Sequence, residues 1–194
     1  MRNNSRKGIL LNIRRLVRES RAVSAVEFAL ILPVMLTLFL GGTEITQGIT
    51  IKRKTTIATR TIGDLIAQGT NITNSEMDAI FAATAAVLAP YSAANFKITV
   101  SSVVIDANNA AKIVWSDGYN GATAHAADSP VTLPTGLNQY PNTTLIWAEA
   151  VYTYTPAIGY VITGPLAMND KVYLRPRLTK EVCREKSGPK ICAF

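Results

Sequence analysis

Few residues in this chain are placed to do chemistry, and the first is a carboxylate inside an apolar run. Glu27 lies within residues 23–43, where Phe28, Leu30, Ile31, Leu32, Val34, Leu36, Leu38, Phe39 and Leu40 leave almost nothing polar around it. An ionisable group in such a run is expensive and usually functional. A second pair is Cys183 and Cys192, the only cysteines, with Gly188-Pro189 between them as a turn signal. Folded back on itself, that strip brings the thiols together. A disulfide closing so short a loop stabilises by about 2.7 kcal/mol in the chain-entropy model. His125 is the one histidine, in the small-residue stretch 121–128, and is expected to be an exposed bystander. One histidine cannot build a histidine-based metal cluster, and two thiols at this spacing have no further ligands at hand, so no metal site is expected. No nucleophile elbow surrounds any serine. No glycine-rich phosphate loop follows a strand. No catalytic residue and no cofactor are therefore expected.

Glu27 sits in an element long enough to cross a bilayer, which takes about 20 apolar residues in a helix. A charge at the centre of such a helix costs about 2.5–3.5 kcal/mol on the insertion scale, and the nine large apolar residues return about 4 kcal/mol. The segment is expected to insert, with Pro33 removing one helical hydrogen bond and favouring a local kink. Ahead of it stand Arg2, Arg6, Lys7, Arg14, Arg15, Arg18 and Arg21 against Glu19 alone. The positive-inside rule places that flank in the cytoplasm and the rest of the chain across the membrane.

The competing reading is a secretory signal peptide. Leu40-Gly41-Gly42 and Gly41-Gly42-Thr43 match its cleavage pattern poorly, and a charge inside the apolar region is unusual there. A plain single-pass anchor, with Glu27 marking the membrane boundary, is the simplest alternative.

Net charge is +7 from 20 bases and 13 acids, which invites a nucleic-acid reading. Its distribution argues otherwise. Seven bases and one acid precede Val23, leaving 13 bases against 12 acids from there on. The charge reports topology and not a basic binding face, so no nucleic-acid partner is expected. Lys52-Arg53-Lys54 with Arg60 is read as a solvated or headgroup-facing helix surface.

Beyond the span, Ala58, Ile62, Leu65 and Ile66 continue a helical apolar face. Gly41-Gly42 and Gly48 weaken the helix and favour a bend, and Gly63 and Gly69 weaken its far end. Thr73-Asn74-Ser75-Glu76 is a capping-box sequence opening a second helix that Pro90 stops. Its alanines suggest close packing against another element. Strands are expected from Phe96 to Ile105, over 112–116, over 144–155 and, briefly, over 172–175. Residues 117–142 form a long polar loop. Trp115, Trp147, Tyr152 and Tyr154 are expected to pack in the core and on the sheet. The expected fold is α+β: a transmembrane helix over 23–43 extended to about residue 70 outside the membrane, a second helix, then an antiparallel sheet within 71–194.

The stretch Arg21-Ala22-Val23-Ser24-Ala25-Val26-Glu27-Phe28-Ala29-Leu30-Ile31-Leu32-Pro33 resembles the signature of the TadE-like pseudopilins of tight-adherence (Flp, type IVb-like) pilus systems. The likeness is specific over about 25 residues and loose elsewhere. It implies a basic cytoplasmic leader, 1–22, removed by a prepilin peptidase between Ala22 and Val23. Ala22 stands where the family norm is glycine. Cleavage would make Glu27 the fifth residue of the mature chain, one helical turn from a new α-amino group on Val23. The resemblance further implies a pilin-like plan, an inner-membrane location, other pilin and pseudopilin subunits as partners, and a minor-pseudopilin role without catalysis. A membrane-anchored periplasmic binding module, using the 117–142 loop, is the alternative function. A membrane-tethered enzyme is a third.

Overall fold

The structure, a computed structural model, describes residues 20–156, 159 and 164–194. The basic leader expected over 1–22 therefore lies, up to residue 19, outside the described residues. The chain is α+β, with a long apolar helix followed by a second helix and antiparallel sheet. Helix α1 runs Ser20–Ala67, 48 residues with Pro33 inside it.

From Val23 through Phe39 that helix is largely apolar and exposed, and Gly41 and Glu44 are the first buried positions after it. Phe28 is 61 % exposed, Leu30 72 % and Leu38 71 %. Nothing in its most apolar 18-residue window is buried. A helix stretch that leaves this many large apolar side chains exposed is out of place in water. Residues 23–43 rise about 32 Å at 1.5 Å each, matching a hydrocarbon core of about 30 Å, so this stretch is a candidate membrane span. Its hydroxyls are met internally: Thr37 Oγ1 donates to Pro33 O at 2.8 Å and Thr46 Oγ1 to Gly42 O at 2.8 Å. No hydroxyl donor there has to seek water. The helix assignment is unbroken through Gly41, Gly42 and Gly48. Each glycine costs about 1 kcal/mol in a helix, too little to end one whose later turns bury a face.

From Gln47 onward the chain forms a packed domain. Ile51, Thr55, Ala58, Ile62 and Ile66 make the buried stripe of α1, each 2 % exposed or less. The buried threonines are satisfied by their own helix, Thr55 Oγ1 donating to Ile51 O and Thr59 Oγ1 to Thr55 O. Leu65, expected on this face, lies off it and stays exposed. Gly63 has a role other than weakening the helix. A Cβ there would stand 2.7 Å from Leu174 Cδ1, so glycine permits close approach of helix to sheet.

Helix α2 spans Asn74–Ala86 and opens with the capping box: the Thr73 hydroxyl accepts from Glu76 N–H, and the Glu76 carboxylate accepts from Thr73 N–H. Met77, Phe81 and Thr84 are its buried face. The alanines expected to pack closely, Ala79, Ala83 and Ala86, lie exposed instead. The larger side chains of the opposite face take the core, because they bury more apolar area per position.

The main sheet has order β4-β3-β2-β5-β6, all neighbours antiparallel. Its strands are β2 Phe96–Ile105, β3 Ala111–Tyr119, β4 Pro130–Val131, β5 Thr143–Tyr154 and β6 Leu166–Leu174. Three differences from the expected pattern have physical causes. Strand β6 is nine residues long, not the four of 172–175, because Asn169, Asp170 and Lys171 interrupt its apolar alternation while its backbone still pairs with β5. The 117–142 loop begins later, since β3 runs to Tyr119, and it contains β4. It also covers one face of the sheet: Val131, Leu133 and Leu137 pack on Val103, Ile105, Ala111, Ile113, Leu145 and Trp147. Finally, the β2–β3 register shifts between Ser102 and Val103, so that Ser102 pairs with Trp115 and Val103 with Ile113. Ser102 and Val103 point to opposite faces, so this bulge sends Trp115 and Ile113 to opposite faces, where simple alternation would put them together.

A second, small sheet was not expected. Its order is β1-β7-β8, with β1 Asn71–Ile72, β7 Cys183–Glu185 and β8 Lys190–Ile191, and β1 pairs with β7 in parallel.

Candidate functional site

The Ala22–Val23 bond lies near the start of α1. Val23 and Glu27 are one turn apart, and Glu27 is exposed between Val23, Val26, Phe28 and Leu30. Among the described residues no hydrogen-bond or ion-pair partner meets the Glu27 carboxylate. A carboxylate on an exposed apolar helix face is an ionisable group that calls for a partner if that face enters hydrocarbon. Val23 and Glu27 stand at the i, i+4 spacing of neighbours on one helix face.

The cysteine pair is joined. Cys183 and Cys192 form a disulfide with Cα atoms 4.6 Å apart. Pairing of Arg184 with Ile191 and Glu185 with Lys190 makes the strip a hairpin, as the Gly188-Pro189 turn suggested. Between the cysteines and the rest of the domain sits Arg184, 3 % exposed. Its Nε donates to Asp117 Oδ2 at 2.8 Å, Nη1 to Ile72 O at 3.0 Å, and Nη2 to Asn74 Oδ1 at 2.8 Å. Lys186 Nζ reaches the other Asp117 oxygen at 3.0 Å. A buried guanidinium is tolerated when its donors and charge are met in this way. Arg184 thereby ties the hairpin to β1, β3 and the entry of α2. Nothing in sequence spacing announces that role, because its partners come from two distant segments, 72–74 and Asp117.

His125 is not the exposed bystander expected. Its Nε2 lies 2.9 Å from Glu149 Oε2, and its ring stacks on Trp147 with centroids 4.8 Å apart. Lys171 Nζ is 2.8 Å from the other Glu149 oxygen. The hydrogen bond to Glu149, and then its charge, hold the Lys171 ammonium above its ordinary pKa. Burial raises the neighbouring Tyr173. This cluster pins the loop to the sheet and does not align a nucleophile. Ser116 Oγ accepts from the His125 backbone N–H at 3.0 Å and from Ser101 Oγ at 2.9 Å, away from the ring nitrogens. The aromatic residues are packing elements, as expected: Trp115, Trp147, Tyr152 and Tyr154 are all buried, and Trp115 Nε1 donates to Val182 O at 2.8 Å.

Of the basic cluster on α1, Lys52 and Lys54 are used inside the domain. Lys52 Nζ donates to Asn169 O and lies 3.5 Å from Asp170; Lys54 Nζ donates to Val87 O at 3.0 Å. Arg53 and Arg60 keep the exposed face that the sequence suggested.

Neither a curated protein nor a solved structure matches this chain. A family model does, over residues 22–62, about a fifth of the 194. That stretch begins at the small residue before Val23, takes in Glu27 and the whole uncovered apolar helix, and ends at Ile62 in the buried stripe. The matching family is TadE, TadE-like protein, and the similarity is confined to residues 22–62.

Proposed function

We propose that the protein is a minor pseudopilin, a non-catalytic assembly component of a tight-adherence (Flp, type IVb-like) pilus system. The observation that carries this reading is the TadE-like match over 22–62 coinciding with an uncovered apolar helix that holds an unpartnered Glu27. The chain sits in the inner membrane by that helix, with the leader cytoplasmic and the domain periplasmic. A prepilin peptidase removes the leader between Ala22 and Val23. The freed amine, in the same chain or a neighbouring pilin subunit, then offers Glu27 its partner. Glu27 sets register by this means, and the domain supplies the specific contacts to other subunits.

The test is the mature N-terminus, read by mass spectrometry beside a piliation assay. The expected result is a chain starting at Val23, cleavage retained in Glu27→Leu, cleavage blocked in Ala22→Leu, and piliation impaired in Glu27→Leu. A chain that keeps its leader beside an active peptidase, with piliation intact in Glu27→Leu, identifies an ordinary membrane anchor and overturns the proposal. A reporter active only in the periplasm, fused after Phe194, checks the orientation.

A further inference from the structure

The disulfide has an asymmetry and a neighbour that together suggest how it closes. Cys183 is buried, at 6 % exposed, under the pairing of β7 with β1. Cys192 is half-buried on the outer hairpin arm. The Glu181 carboxylate oxygen and the two sulfurs all lie within 4.8 Å of one another. The same carboxylate accepts the backbone N–H of Ala193 and, at 3.0 Å, that of Phe194. Glu181 therefore grips the two residues that follow Cys192 and, through them, holds its sulfur beside Cys183. On the far side of the hairpin, Arg184 seats β7 against Ile72, Asn74 and Asp117. One cysteine is thus held by the fold and the other by a carboxylate clasp.

We propose that the Cys183–Cys192 bond is closed by an oxidised dithiol carrier, that exchange enters at Cys192, and that Glu181 positions Cys192 for the closing step. The Cys192 thiolate attacks one sulfur of the carrier's disulfide, and the carrier's other sulfur leaves as a thiolate. The Cys183 thiolate then attacks Cys192 Sγ and expels the carrier's remaining sulfur. The two thiol protons pass to the carrier thiolates, directly or through water. The pair is oxidised by two electrons and the carrier reduced by two. Entry at Cys192 follows from access, since thiolate exchange needs an approach to the sulfur. The Glu181 contribution is proximity: a thiol held beside its target reacts as if at high concentration. The carrier's compartment rests on the periplasmic location proposed above. The chemistry does not, and it is measured on the purified chain, apart from any piliation result.

The experiment uses the full chain in detergent, reduced, desalted and offered oxidised glutathione as the probe, with acid quenching and peptide mass mapping. The expected first adduct is glutathione on Cys192, replaced by the Cys183–Cys192 bond. Cys183→Ser should retain glutathione on Cys192, and Cys192→Ser should leave Cys183 as a thiol. Glu181→Ala should slow closure by about ten-fold with the first exchange unchanged. Glu181→Gln, whose amide oxygen still accepts both N–H groups, should restore it. Should a variant fail to fold, the reduced wild type suffices: iodoacetamide should label Cys192 about ten-fold faster than Cys183. Glutathione appearing first on Cys183, equal labelling of the two thiols, or closure in Glu181→Ala at the wild-type rate would each overturn the proposal.

Discussion

One helix contains two regions that obey different rules. Up to Phe39, α1 leaves its apolar side chains exposed and buries none of its most apolar window. From Gln47, the same helix buries one stripe, from Ile51 to Ile66, and keeps Arg53 and Arg60 outward. The first region is ordered by what surrounds the protein, the second by what the protein packs against itself. Hydrophobicity alone does not separate them. What separates them is whether apolar residues repeat at the helical period or fill every position.

The sharpest way to break this comparison is to make the same truncation in both regions. Ile62→Ala should destabilise the domain by about 2–5 kcal/mol, since it leaves a cavity in a fully buried stripe. Leu38→Ala should change domain stability by less than about 0.5 kcal/mol, because nothing within the domain packs on it. Denaturant unfolding of the domain in detergent, followed by Trp fluorescence, checks both. Equal losses would mean that the two regions are not energetically distinct.

Glycine sharpens the same contrast. Gly63→Ala brings a Cβ to 2.7 Å from Leu174 Cδ1 and should destabilise by about 1–3 kcal/mol. Gly42→Ala meets nothing within 4 Å and should strengthen the helix by up to about 1 kcal/mol. Melting temperatures of the two variants should move in opposite directions. A smaller effect is expected at α2, where Thr73→Ala removes the cap and should cost about 1 kcal/mol, read in the same unfolding assay.

The smallest expected effect is one of pH. Hydrogen bonds from Thr73, the backbone N–H first, hold the Glu76 carboxyl below its ordinary pKa. A depressed carboxyl contributes stability above its unfolded pKa and loses it as pH falls through the folded one. Amide-exchange protection at Glu76 and Met77, corrected for the intrinsic pH dependence of exchange, should therefore fall on acidification below the usual carboxylate range, and Glu76→Gln should remove most of that dependence. No such region-specific change is expected between Phe28 and Phe39, where no acid lies.

How far the structure was legible varied with the reach of the interactions involved. The capping box of α2 is local, four consecutive residues, and it appears as expected. So does the hairpin that closes Cys183 on Cys192, since its turn and both thiols sit in one short strip. Strand β6 was half hidden, because a strand paired by its backbone tolerates Asn169, Asp170 and Lys171 without showing them in its pattern. Loop residues 117–142 read as polar, yet Val131, Leu133 and Leu137 cover a sheet face, which isolated apolar residues in a loop do not signal. His125 was misread for the same reason: Glu149 and Trp147 reach it from β5, and Lys171 of β6 holds Glu149.

By itself, then, the sequence determined what depends on composition and short spacing: an apolar helix of membrane length, a carboxylate at Glu27, a TadE-like stretch, an α+β order of elements and a disulfide. Only the tertiary structure decided what depends on residues far apart in the chain. It put Arg184 at the meeting of three segments, and it made Gly63 a contact point. It also turned Ile113 and Trp115 to opposite faces through the bulge at Ser102. Local patterns specify which backbone state each segment prefers. Close packing then decides which face of each segment is buried and which polar groups must find one another.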